Sequence, residues 1–375
     1  MIYFDSAATS LQKPAAVRYA AASAIMNLAS PGRGGYKNAM DAAEVVYDCR
    51  TALAEFLGAS SGEQVVFTGN ATQGLNVALK SLVGPGDAVV VSGYEHNAVM
   101  RPLKAIGAEV RVAVAPLFEP EAMLRAYEKL IPGAAAAVCC HVSNVFGYIL
   151  PMEEIATLCK KYGVPLIVDA SQSAGSLPLN FDKIGCEFMA MPGHKGLLGP
   201  QGTGVLLCRS ETVNTLVEGG TGSDSEREDM PRFLPDRLEP GTHNMPGIAG
   251  LLEGVRWLQR RRLSDIMEHE RQLLAQLAGE LRGMENVCIY AAQDPRQQSG
   301  VLSASFRALD CETAAALLGA RGIAVRAGLH CAPLAHQTAG TLKAGTVRFS
   351  FSPFNSPGET AAAAAAVYDI LHKGR

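Results

Sequence analysis

The chain has 375 residues, 18% of them charged and 48% hydrophobic, with a mean hydropathy of +0.11. Its 33 basic and 36 acidic residues leave a net charge of −3, which excludes the basic footprint of a nucleic-acid binder. So large an apolar fraction excludes an intrinsically disordered chain, and no apolar run approaches the roughly 20 residues that cross a bilayer.

At roughly 150 residues per domain this length allows two or three domains. The opening MIYFDSAATS has no basic stretch followed by an apolar one, so no secretory signal is expected. Residues 43–58 carry Val46, Leu53, Phe56 and Leu57 at helical spacing. Residues 64–68 (QVVFT) predict a strand, and 72–82 a helix with Leu75, Leu79 and Leu82 on one face. The Val-rich 88–92 is a strand, as are 110–114, 135–140, 166–169, 188–191 and 204–208. Helices fill 97–106, 121–131 and 153–162. Short apolar strands separated by helices predict a mostly parallel sheet covered on both faces. In such sheets ligands bind outside the carboxyl ends of the strands. Residues 222–240 are polar, contain three prolines and predict a long loop. Helices over 248–261 and 264–282 follow. A smaller α+β unit closes the chain, with strands at 301–306, 323–326 and 346–351 and helices at 312–321 and 357–373.

The nine cysteines are odd in number, widely spread and include no CxxC pair. That argues against a disulfide framework or a zinc site and for a reducing, cytoplasmic setting. The ordinary role of each is a small buried hydrophobe.

Four segments at strand ends carry chemistry. Thr68-Gly69-Asn70-Ala71-Thr72-Gln73-Gly74 joins a strand to a helix, where free N–H groups and the helix dipole favour an anion; an ordinary connector looks the same. Asp169 ends the strand at 166–169, where a carboxylate can hold a protonated ring nitrogen or simply cap the next helix. Lys195, in Met191-Pro192-Gly193-His194-Lys195-Gly196, follows a strand in a Gly-rich turn. A lysine desolvated there forms a Schiff base readily, whereas one exposed on a loop does nothing. Cys331, in Arg326-Ala327-Gly328-Leu329-His330-Cys331-Ala332, is flanked by two cation-forming side chains, and neighbouring cations favour the reactive thiolate.

The order of these segments resembles the class V (fold type I) enzymes dependent on pyridoxal 5'-phosphate (PLP), and within them the cysteine desulfurase and selenocysteine lyase family. The resemblance runs nearly end to end through FDSAATS, GNATQGLN, YEHNAV, HVSNVFG, VDASQSAG, PGHKGLLGPQGTG, EPGTHNMPGIAGL, RAGLHCA and VRFSFSPFN. The short loop around RAGLHCA resembles the second group of that family, which works with a separate sulfur-acceptor protein. The implied fold is α/β, with a large PLP-binding domain at 16–250 built on a mostly parallel seven-stranded sheet. A smaller α+β domain is formed discontinuously by 1–15 and 251–375.

By motif, the resemblance implies that Lys195 bonds the cofactor and serves as the base. Asp169 pairs with the pyridine nitrogen, His96 stacks on the ring and shuttles protons, and Gln172 bonds the phenolic oxygen. Ala71, Thr72 and His194 hold the phosphate. Thr242 reaches the phosphate of a neighbouring subunit, which implies a homodimer with shared active sites. Asn144 and Arg348 bind the substrate carboxylate, with Arg326 a further substrate contact. Cys331 takes sulfur from L-cysteine as a persulfide, leaving L-alanine. Two residues depart from the family pattern: Pro192 stands where a phosphate-binding serine is common, and Leu329 where many relatives have a histidine. Selenocysteine lyase, acting on L-selenocysteine, is the nearest alternative. Another class V aminotransferase or β-lyase would have no use for Cys331. A non-catalytic binding module would be free to lose Lys195, Asp169 and Arg348, and none is lost.

Overall fold

A computed structural model describes residues 1–32, 34–210 and 213–372. The chain begins with β1 (Ile2–Tyr3), α1 (Ala15–Asn27) and α2 (Lys37–Leu57). There follow β2 (Val65–Thr68), α3 (Ala71–Leu82), β3 (Ala88–Ser92), α4 (Asn97–Ile106), β4 (Glu109–Ala113) and α5 (Pro120–Leu130). Next come β5 (Ala136–Cys140), α6 (Met152–Tyr162), β6 (Leu166–Asp169), α7 (Phe181–Ile184), β7 (Phe188–Pro192) and β8 (Gly204–Cys208). The remainder holds α8 (Met245–Gln259), α9 (Leu263–Arg282), β9 (Val287–Tyr290), β10 (Val301–Phe306), α10 (Cys311–Ala320) and β11 (Ile323–Ala324). It ends with β12 (Arg326–Gly328), α11 (Pro333–Thr338), β13 (Thr346–Ser350) and α12 (Pro357–His372). Lys373, expected to end the last helix, lies outside the described residues.

Seven strands form one sheet in the order β2-β8-β7-β6-β5-β3-β4. Its central pairs are parallel, and β8 alone runs antiparallel to its neighbours β2 and β7. The expected mostly parallel sheet is therefore present. Successive side chains on a strand point to opposite faces, and the two cores divide accordingly. Val90, Cys139, Val168 and Met189 pack on one face with Leu53, Ile155 and Phe181. Val89, Val91, Val138 and Ile167 pack on the other with Leu75, Leu79 and Leu103. Both faces are covered, which is why these strands read as unbroken apolar runs.

A second, antiparallel sheet has the order β12-β13-β10-β9. Leu273, Leu277, Leu318, Phe349 and Val367 build its own core. Phe4 packs into that core, and Ile2 pairs with Ile323 across β1 and β11. The N-terminal segment thus joins the C-terminal part of the chain. The single strand expected at 323–326 is two strands here, because β11 pairs with β1 whereas β12 pairs with β13. Helix α8 runs without a break past residue 250, and its Ile248, Leu251 and Val255 belong to the core of the large sheet. Among the described residues, no helix is long and apolar enough to cross a membrane.

The polar stretch 222–240 is a loop pinned at its end. Arg237 donates through Nε to the Val213 carbonyl at 2.6 Å. Glu239 is buried in an ion pair with Arg50, accepting from its Nη1 at 2.9 Å, and it also accepts from the Phe67 N–H at 2.5 Å and faces His243 Nε2 at 2.8 Å.

Candidate active site

The carboxyl ends of β2, β3, β5, β6 and β7 converge on one cavity with about 120 Å³ open to water. Ala71, Thr72, His96, Asn144, Asp169, Gln172, His194 and Lys195 all line it. Eight of the twelve residues singled out from sequence therefore meet in one place.

At one end lies the start of α3. The Asn70 side chain caps the helix by accepting from Gln73 N–H at 2.9 Å, and Thr68 Oγ1 donates to the Asn70 carbonyl at 3.0 Å. The first-turn N–H groups of Ala71 and Thr72 have no helical acceptor, so with the helix dipole they form an anion site. His194 lies nearby, its Nδ1 3.0 Å from Thr9 Oγ1. Burial, then the charges of Lys195 and Lys13, lower its pKa to about 4, so its imidazole is neutral at physiological pH. Pro192 lines the same cavity and brings neither hydroxyl nor N–H to it.

In the middle, Asp169 ends β6 and is 5% exposed, with Oδ1 accepting from Ser171 N–H at 2.9 Å. Lys195 follows β7 in the tight turn. Burial pulls its ammonium down to about 8; Asp169 opposes the shift, and Arg348 and Arg326 add to it. This is the desolvated, cation-flanked lysine that carbonyl chemistry needs. A Cβ at Gly175, whose φ is +86°, would lie 2.2 Å from the Gly196 carbonyl oxygen, so a glycine there lets the two backbones meet beside Lys195. His96 caps α4, its Nδ1 accepting from Ala98 N–H at 3.0 Å, which places the ring proton on Nε2. Burial lowers its pKa, Asp169 opposes, and Lys195 adds to the lowering. Gln172 donates through Nε2 to the Ala7 carbonyl at 3.0 Å.

At the other end, Arg348 on β13 is 2% exposed. Its Nη1 donates to the Asn144 carbonyl at 3.0 Å and its Nη2 to Asp5 Oδ1 at 2.8 Å, while Nε is buried without a partner. Arg326 sits opposite Arg348 in the β12–β13 register and is exposed. Asn144 Nδ2 donates to the His330 carbonyl at 2.8 Å, and the Cys331 carbonyl accepts from Asn97 N–H at 2.8 Å. These bonds fix the Cys331 loop over the cavity's rim. His330 and Cys331 both adopt left-handed backbone, at φ 49° and 56°, a conformation that non-glycine residues seldom hold without a local cause. Seven of the nine cysteines are buried; Cys331 and Cys288 are exposed.

The structure corrects one expectation. His330 is not a cation beside Cys331. Its ring is 6% exposed, with Nε2 3.2 Å from the Thr346 carbonyl and hydroxyl oxygens and Nδ1 buried without a partner. Burial, then Arg348 and His336, push its pKa down to about 2, so the ring stays neutral at physiological pH. Thr242 is not in the Lys195 cavity of its own chain. It is exposed and lines an adjoining cavity with Gly69, Gln73 and Asn244. Asp5 was not singled out from the sequence as a site residue; an acid inside the FDSAATS segment, with no cation near it in sequence, was the available signal.

Residues 2–361 match the family described as aminotransferase class-V. The chain is 33% identical over 353 residues to a cysteine desulfurase of Klebsiella pneumoniae, covering 88% of this chain and 84% of that protein. Among solved structures it is similar to the apo cysteine desulfurase of Thermococcus onnurineus, with a TM-score of 0.90 and 32% identity over 100% of this chain and 95% of that one. It is also similar to an Escherichia coli cysteine desulfurase in an S-sulfonic acid form, with a TM-score of 0.87 and 27% identity over 99% and 94% of the two chains.

Proposed function

The chain belongs to the aminotransferase class-V family, and on that premise we propose that it is a PLP-dependent cysteine desulfurase. It converts L-cysteine to L-alanine and holds the sulfur as a persulfide on Cys331 for a sulfur-acceptor protein. One observation carries the reading: the bare N-terminus of α3, Asp169 and the desolvated Lys195 share a single cavity, and the loop of the exposed Cys331 is bonded to Asn144, which lines it.

The donor set fits the cofactor. Ala71 and Thr72 N–H groups and the His194 imidazole suit its phosphate, Asp169 its ring nitrogen, Gln172 its phenolic oxygen, and Lys195 its aldehyde. When bound, PLP supplies an electron sink for the carbanion left by loss of the substrate α-proton. Arg348 and Asn144 orient the substrate through its carboxylate, for which a guanidinium has the two-pronged geometry. Lys195, with its pKa near 8, takes the α-proton. His96, with its proton on Nε2, is placed to return one. The Cys331 sulfur attacks the substrate sulfur. An S–S bond forms, the C–S bond breaks with its electron pair left on carbon, and protonation of that carbon completes alanine.

The protein acts as a homodimer in this reading. Tyr19, Ile25 and Met26 on α1 and Met40 and Tyr47 on α2 are all more than half exposed, and large apolar side chains left open in such number suit an interface. Thr242, outside its own cavity, is available to the partner's phosphate. The larger domain extends past residue 250 to Gln259, since α8 is continuous, and residues 1–15 belong with the smaller one. Lys195→Ala tests the reading: wild type is expected to be yellow and the variant to lose its visible chromophore, whereas a wild type that stays colourless after incubation with PLP contradicts it.

A further inference from the structure

A second cavity, which the proposed chemistry does not use, also touches Lys195. About 40 Å³ of it is open to water, room for about three molecules at 10–15 Å³ each. Its walls join three parts of the fold: Ser6 from the N-terminal segment, Lys195 from the large sheet, and Glu270, Ser299 and Ser352 from the C-terminal part.

Glu270, on α9, is 6% exposed, and no hydrogen bond or ion pair reaches its side chain from any described residue. Burial alone pushes its carboxyl up to about 8, with no cationic side chain opposing the shift. Lys195 is the other titratable side chain on these walls among the described residues. Its own shift comes first from burial and then from the charges of Asp169, Arg348, Arg326 and Asp5, with none from Glu270, so the two are not a pair. The hydroxyls of Ser6 and Ser299 are likewise buried without a partner. A Cβ at residue 300 would lie 2.9 Å from Glu270 Oε2, so Gly300 leaves the carboxyl its room.

A buried carboxylate without a counter-charge is costly, so this carboxyl either stays protonated or is ionised beside a cation. The Glu270, Ser6 and Ser299 oxygens are hard donors, which suits a hard cation. One carboxylate matches one positive charge. A calcium or magnesium ion would call for further carboxylates, and no cluster of three or more metal-ligating side chains occurs among the described residues.

We propose that Glu270, Ser6 and Ser299 form a site for a monovalent cation, such as potassium, sodium or ammonium, that ties the N-terminal segment and the C-terminal part to the Lys195 loop. The site does not depend on the desulfurase reading. The test is thermal unfolding of the cofactor-loaded protein in potassium, sodium or ammonium chloride against tetramethylammonium chloride at matched ionic strength. In wild type at least one of the three small cations is expected to raise the midpoint saturably, by about 2 °C or more, and Glu270→Gln is expected to abolish the rise. Should that variant fail to fold, Ser299→Ala is expected to shift the half-maximal rise to higher cation concentration. Identical midpoints for wild type in all four salts, or an undiminished rise in the variants, would overturn the proposal and leave a neutral carboxyl beside trapped water.

Discussion

Arg348→Lys isolates the carboxylate-binding role of the buried guanidinium. Arg348 spends one donor on Asp5 Oδ1 at 2.8 Å and one on the Asn144 carbonyl at 3.0 Å, and its Nε is buried with no protein partner. A fork held this way still has donors to offer a substrate carboxylate. Lysine keeps the positive charge near Asp5, whose side chain is 21% exposed, so the acid is not stranded as it would be with alanine. What lysine loses is the fork. A hydrogen bond to a charged group is worth about 1.5–3 kcal/mol, which at 1.36 kcal/mol per tenfold predicts a fall in kcat/KM for L-cysteine of roughly 10- to 150-fold. Most of it is expected in KM, because the carboxylate is bound alike in ground and transition states. The assay is sulfide release in the presence of a reductant over a range of L-cysteine concentrations, with cysteamine, read the same way, as control. Cysteamine has no carboxylate, so wild type and variant should use it equally poorly. An unchanged KM for L-cysteine would refute the assignment and move the carboxylate site elsewhere.

Glu239→Gln is expected to destabilise the fold by about 3–5 kcal/mol, the cost of leaving a buried guanidinium unpaired, read as a lower denaturation midpoint; an unchanged midpoint would show that Arg50 finds another partner. Burial raises the Glu239 pKa, but His243 and Arg50 outweigh it and hold the carboxyl below its ordinary value. A depressed folded pKa means stability that is present above the unfolded value of about 4.3 and lost as pH falls below it. Wild type should therefore lose more stability than Glu239→Gln on acidification through that range, and parallel pH profiles would contradict the linkage.

The large sheet was legible because its strands are buried on both faces. Val89–Val91 and Leu166–Val168 can only be read as apolar runs bounded by turns, and β3, β6 and β8 fall on the predicted residues. Helix α1 was not legible. It has little apolar periodicity, and Tyr19, Ile25 and Met26 face outward, so nothing in its own sequence marks a core face. The split of β11 from β12 depends on β1, more than three hundred residues away, and no local pattern encodes it. At the site, Lys195, Asp169 and the start of α3 were readable because strand-to-helix turns place chemistry at a predictable sheet edge. The neutrality of His330 was not, since it follows from burial beside Arg348 and His336. The Asp5–Arg348 pair was hidden for the same reason: the partners are distant in sequence, and folding alone brings them together.

Cys331 is the sulfur-accepting thiol on which the proposed desulfurase chemistry depends. Its most direct test is alanine release from L-cysteine by Cys331→Ala, measured on protein that retains the visible chromophore of wild type. The variant is expected to be yellow and to form almost no alanine. A yellow variant that forms alanine at the wild-type rate would contradict that role.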